Sequence, residues 1–160
     1  MATKSFKFHL LLHSAHLVED RLRRKLAPHG LQPRQARILD ALDRLGKVSQ
    51  VRLATEFALT AASISTMTSR LLAAGLIERD VDESERRSNE LSLTRRGRAL
   101  LKIVHKEWAA IDRDIAAVMG TASANQLAEL TRTLRDGLGG FAPGTSADSA
   151  KQQTVRRGKR

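Results

Sequence analysis

The stretch Thr60–Leu93 constrains this chain more than any other. Thr60 offers a hydroxyl to cap a helix, and Gly75 offers the left-handed conformation that ends one. Between them Ile64, Met67 and Leu71 recur at steps of three and four, the buried stripe of a short amphipathic helix. The other side holds Ala62, Ser63, Ser65, Thr66, Ser69 and Arg70. Solvated helix faces favour Glu and Lys, and this face has neither. Two β-favouring runs follow, Leu76–Asp80 and Glu90–Leu93, around a charged, turn-prone segment with Arg86 and Arg87 near its middle. The chain therefore predicts a helix followed by a hairpin with paired arginines in its loop.

The residues upstream fit the same plan. Pro33–Leu45 predicts a helix that opens on proline, where the missing N–H costs least, with Ile38, Leu39, Leu42 and Leu45 inside. Ser49 can cap the next helix, for which Val51, Leu53, Ala54 and Phe57 are the expected buried residues. Ala58–Leu59 is then a tight link into the helix opened by Thr60. Helix, short turn, helix and hairpin make a winged helix-turn-helix. The second helix of such a unit fits a DNA major groove, and small side chains such as Ser, Thr and Ala let it approach base edges and thymine methyls. The loop arginines fit the adjacent minor groove, oriented by Asp82 or Glu85. The expected DNA contacts are Thr60, Ala61, Ala62, Ser63, Ser65, Thr66, Ser69, Arg70, Arg86 and Arg87.

The run Leu76-Ile77-Glu78-Arg79 through Asp82, then Glu85-Arg86-Arg87, then Leu91-x-Leu93-Thr94-x-x-Gly97 resembles the signature of the multiple antibiotic resistance regulator (MarR) family in order and spacing. Glu85 stands where that family usually has Asp, and Thr66 where many members carry a basic residue. The resemblance spans roughly Phe6 to Phe141. It implies a two-fold dimer with interleaved terminal helices, a pseudo-palindromic operator and phenolic or aromatic acids as effectors.

Outside the module, long helices are expected on both sides. Ser5 to about Pro28 predicts one helix, with Phe8, Leu11, Leu12, Ala15, Val18, Leu22 and Leu26 on a broad core-facing side. Thr94 caps a helix running to about Met119, where Leu101, Val104, Trp108, Ile111, Ile115 and Val118 step by three and four as a side-by-side packing seam. Ser123–Leu138 predicts a last helix with Leu127, Leu130, Leu134 and Leu138 on one side. Such stripes need a partner surface, which agrees with a homodimer. The expected architecture is mainly α (α+β). One domain spans 5–141: a winged helix-turn-helix at about 33–94, dimerisation helices at about 5–28 and 95–140, and then a disordered basic tail at 142–160.

A second stripe on the first helix carries His9, His13, His16 and Asp20, bordered by Phe6, Leu10 and Leu17. Its spacing suits a metal ion, completed by Asp20 or His105, or an anion held with an arginine such as Arg21, Arg24, Arg34 or Arg37, or a polar dimer seam. A small aromatic carboxylate on His9, His13, His16, Arg21 and Arg37 is the expectation carried forward, with no metal and no cofactor.

Composition limits the partners. With 28 basic and 17 acidic residues the formal charge is +11, of which +4 lies in the tail. That balance calls for a polyanion. No apolar run is long enough to span a bilayer, and no leader pattern opens the chain, so a cytoplasmic protein without membrane contact is expected. The absence of Cys removes thiolate metal sites and disulfides, and no Gly-rich phosphate loop, H-E-x-x-H or G-x-S-x-G occurs, so an enzyme is not expected. The expected function is a homodimeric, sequence-specific binder of double-stranded DNA, a transcriptional repressor released by a small aromatic acid. The alternatives are a ligand-independent architectural or silencing-antagonist protein and a metal-responsive regulator.

Overall fold

Local capping chemistry sets the frame of the computed structural model, which describes residues 6–81 and 89–141. Among them the order is α1 (Lys7–Leu26), a 3-10 turn (Ala27–His29), α2 (Pro33–Leu45), β1 (Val48–Ser49), α3 (Gln50–Phe57), α4 (Ala61–Ala73), β2 (Ile77–Val81), β3 (Asn89–Leu93), α5 (Arg95–Met119) and α6 (Thr121–Gly137). The three strands form one antiparallel sheet in the order β1-β3-β2, with Val48 opposite Leu91 and Ile77 opposite Leu93. The fold is the mainly helical winged helix-turn-helix that the motif order calls for. The two-residue strand β1 is an addition, too short to leave a period in the sequence.

The core lies where α2, α4, the sheet and the first half of α5 converge. Leu26, Leu31, Ile38, Leu39, Leu42, Leu53, Ile64, Leu71, Leu91 and Val104 are fully enclosed there. Ser49, Thr60 and Thr94 each start a helix as an N-cap whose side-chain oxygen accepts a backbone N–H, from Arg52, Ser63 and Gly97 respectively. Gly75, at φ +66°, ends α4: its N–H bonds back to Leu72 at 2.9 Å, and that of Leu76 to Leu71 at 3.0 Å.

Two burial expectations are corrected. Of the broad α1 face only Leu26 is fully enclosed and Leu22 packs on the core, while Phe8, Leu11 and Leu12 are exposed. The helix meets the core only at its C-terminal end, so its earlier turns have nothing within the chain to cover them. Val51 is 75% exposed rather than inside. In a helix of eight residues the inward side is set by Leu53 and Glu56, and Val51 falls off it. The apolar side of α6 is likewise open, and α5 changes from enclosed at Val104 to 79% exposed at Val118. None of the helices described is long and apolar enough to cross a membrane.

Candidate nucleic-acid interface

Three devices position α4. The first is the link from α3, where Ala58 takes φ +50°, the one described non-glycine residue with a positive φ. Its N–H reaches Thr55 at 3.1 Å and that of Leu59 reaches Ala54 at 3.0 Å, closing α3 and turning the chain sharply into Thr60. The second is a polar clamp inside the helix pair. Gln50 Nε2 on α3 donates to Thr68 Oγ1 at 2.8 Å, and the Thr68 hydroxyl in turn donates to the Ile64 carbonyl at 2.9 Å. Thr68 has no exposed surface, so this bond satisfies a hydroxyl that would otherwise be costly to enclose.

The third device is a clasp between α4 and α5. Thr94 Oγ1 donates to the Gly75 carbonyl at 2.8 Å and accepts the Gly97 N–H at 3.0 Å, while the Thr94 N–H reaches Leu76 O at 3.2 Å. The approach is so close that a Cβ on Gly97 would lie 1.9 Å from Leu76 O. This explains physically why Leu93-Thr94-x-x-Gly97 follows the hairpin: any side chain at 97 forces the Leu76 backbone to move. Lys47 and Asp80 form an ion pair that ties the start of β1 to β2. Hydrogen bonding and then charge attraction to Asp80 hold the Lys47 ammonium above its ordinary value of 10.5.

With α4 held this way, Ile64, Thr68 and Leu71 face inward and Met67 is half-buried. Thr60, Ala61, Ala62, Ser63, Ser65, Thr66, Ser69 and Arg70 are all exposed, so every candidate contact on this helix and its cap points to solvent. The Thr66 hydroxyl donates back to the Ala62 carbonyl at 3.0 Å, which leaves its lone pairs and methyl outward. No carboxylate interrupts the face. Arg86, Arg87, Asp82 and Glu85 lie outside the described residues, as does the basic stretch 142–160. The hairpin strands that lead to the two arginines are paired as far as Val81 opposite Asn89.

The histidine stripe lies away from this surface. His9, His13 and His16 are all exposed; His9 meets the Phe8 ring edge-on at 4.2 Å, and His16 Nε2 sits 3.2 Å from Asp20. Asp20 is shared with Arg23 at 2.5 Å. Among the described residues no cluster of three or more His, Asp or Glu could hold a metal ion. His105 is engaged elsewhere, with Asp40 at 2.7 Å. Arg21 lies in a shallow basic groove with Arg24, Lys25 and Asp114. The Arg37 guanidinium stacks 5.7 Å above the Phe57 ring on α3. The two candidate arginines and the histidines thus make their contacts with different elements.

Sequence reasoning missed the polar link between α2 and α5. Asp40, largely enclosed, receives both His105 and Arg44 at 2.7 Å. Beside it Trp108 Nε1 is enclosed with no hydrogen-bond partner among the described residues, its ring 5.5 Å from that of His105. A carboxylate beside the apolar Ile38, Leu39 and Leu42 of α2 and a lone Trp in the α5 seam were the available signals.

A model of the MarR family matches residues 29–88, the span from the turn before α2 into the hairpin loop. Solved structures of that family share the fold. The wild-type apo form of MarR from E. coli is 16% identical, with a TM-score of 0.71 over 82% of this chain and 98% of that one. The MarR family protein Rv2887 of Mycobacterium tuberculosis in complex with salicylic acid is 25% identical, with a TM-score of 0.68 over 84% and 99%. Its complex with DNA aligns at 22% identity, with a TM-score of 0.70 over 82% and 98%. No curated protein matches the sequence.

Proposed function

Because this chain belongs to the MarR family of winged helix-turn-helix transcription regulators, we infer that it works as a homodimeric repressor released from a pseudo-palindromic operator by a small aromatic carboxylate. The observation that carries the specific-binding part is the outward face of α4, small and hydroxyl-bearing from Thr60 to Ser69, free of carboxylates and closed by Arg70. Such a face has little to offer a protein partner and much to offer base edges. Lys and Arg around the module supply phosphate affinity, α4 reads bases, and Arg86 and Arg87 hold the register. The bare apolar sides of α1 and α6 support pairing of two chains, which sets the two copies of α4 about one helical turn of DNA apart, roughly 34 Å.

The effector is proposed from two supports. Rv2887 has been solved with salicylic acid and with p-aminosalicylic acid. This chain has an exposed histidine stripe bordered by the exposed apolar Phe6, Leu10 and Leu17, and an enclosed Trp108 N–H on α5 with no hydrogen-bond partner among the described residues. A flat ring needs apolar walls, and a carboxylate needs cationic or N–H donors. An acid bound among α1, α2 and α5 would change the spacing of the two copies of α4. Couplings of this kind are typically about 1–3 kcal/mol.

The test is calorimetric titration of benzoate, salicylate and pyridine-carboxylates into the parent and into His13→Ala, alongside operator binding. Tight acid binding weakened by the substitution, with release of DNA, is the expected result. Affinity unchanged in His13→Ala moves the site off the stripe. No binding of any acid together with tight Zn²⁺ binding replaces the repressor–acid scheme with metal sensing. Equal protection of random and selected DNA by the parent overturns sequence-specific repression in favour of an architectural role.

A further inference from the structure

The first three turns of α5 carry a charge pattern that neither α4 nor the hairpin explains. Arg95, Arg98, Lys102 and Lys106 step by three, four and four, which puts them on one face, across the helix from the buried Val104. All four are exposed, and none forms an ion pair among the described residues. Between Arg95 and Lys106, α5 itself has no carboxylate. Ala99 and His105 border the stripe, the latter hydrogen-bonded to Asp40 of α2.

This arrangement is unfavourable to the helix on two counts. Cations in the first turn oppose the helix dipole, and α5 has no acidic residue there to offset them. Like charges four apart, at Arg98 and Lys102 and again at Lys102 and Lys106, repel. Arg96 is different, because it reaches back over Gly75 at the C-terminal end of α4, where a cation is favourable. The stripe covers about 16 Å of helix. It begins one residue after the clasp at Thr94, at the root of the hairpin.

We propose that this face of α5 is a second DNA surface, which grips the phosphate backbone of the duplex flanking the operator and so lengthens the contacted site without reading its sequence. The stripe starts at the root of the hairpin, and its positive charge, without ion pairs among the described residues, matches a phosphate backbone. Flexible Lys and Arg arms suit contacts that tolerate any sequence. The inference rests on the operator-binding role proposed above.

The experiment compares a duplex limited to the operator with one extended by ten base pairs on each side. Binding is measured across a salt series for the parent and for the triple variant Arg98→Gln, Lys102→Gln, Lys106→Gln. On the short duplex the two proteins bind alike. On the long one the parent binds several-fold tighter with a steeper salt dependence, by about 0.9 in log–log slope for each phosphate gained. The variant gains neither. Its circular dichroism and melting stay at parental values, since removing mutual repulsion does not harm the helix. A variant that profits from the longer duplex as much as the parent, or a parent that profits not at all, overturns the proposal. Failure of the parent on the short duplex would instead count against operator binding itself.

Discussion

The reading module and the outer helices are built from similar Leu- and Ala-rich sequence, yet they end in opposite states. In the module Leu39, Ile64, Leu91 and Val104 are wholly enclosed. Along α6 the equally regular Leu127, Leu130, Leu134 and Leu138 are all exposed, and the α1 residues Phe8, Leu11 and Leu12 share that fate. The module finds its partners within one chain because caps and tight turns fold α2, α4 and the sheet onto each other. The outer helices also have turns, at Gly30 and Gly120, but the faces those turns leave open meet nothing else in the described chain. One half of the molecule covers its apolar side within the chain, and the other leaves its apolar side open.

The largest effect should come from breaking the open half. Leu130→Glu with Leu134→Glu places two charges on the open side of α6. Sedimentation should report a monomer whose circular dichroism keeps the module's helices. Loss of two-site binding should then weaken operator affinity on the order of 10²–10⁴-fold, the usual span of avidity. A double variant that stays dimeric would show that α6 is not part of the seam.

Next comes the covered half. Gly97→Ala should destabilise by about 1–3 kcal/mol, because the new methyl meets the Leu76 carbonyl and backbone, not a movable side chain, must yield. A shifted urea midpoint with an unchanged slope is the expected signature. Operator affinity should fall as well, since α4 and α5 share this contact. A parental midpoint would mean that the clasp is slack.

What could be read from the sequence follows the same division. The caps at Ser49, Thr60 and Thr94 were legible because each depends on one hydroxyl and its next three residues. The outward face of α4 was legible because Ile64 and Leu71 fix which side is in. The fates of α1 and α6 were not, since a period of 3.6 shows that a helix has an apolar side but not what covers it. Val51 was misplaced because eight residues give too few turns to fix a face. Thr68 was overlooked as a buried group, because only the fold brings Gln50 to it across eighteen residues. The Asp40–His105 bond was hidden for the same reason.

Thr68 also sharpens the difference between holding the module together and aiming it. Thr68→Val keeps the shape and removes the hydroxyl, and Gln50, which is only half-buried, can turn to water. Stability should change by less than about 1 kcal/mol. Discrimination between operator and mismatched sites should nonetheless narrow, because the rotation of α4 about its axis is no longer fixed. Thr68→Ser should restore the discrimination, and a Val variant as selective as the parent would show that packing alone aims the helix.

The smallest expected effect lies at the turn between the two motif helices. Ala58 sits at φ +50°, where its Cβ crowds the following carbonyl. Ala58→Gly removes that clash, worth roughly 1–2 kcal/mol for an L-residue, but returns about 0.5–1 kcal/mol through the freer unfolded chain. The balance is a stabilisation of about 0.5 kcal/mol. No contact to α4 changes, because the N–H bonds from Ala58 to Thr55 and from Leu59 to Ala54 involve only backbone. Thermal melting should therefore rise slightly while operator affinity and base preference stay parental. If affinity falls although the fold is firmer, the strained alanine is part of how the link holds α4 at its angle, and the module would be tuned at this turn rather than at its core.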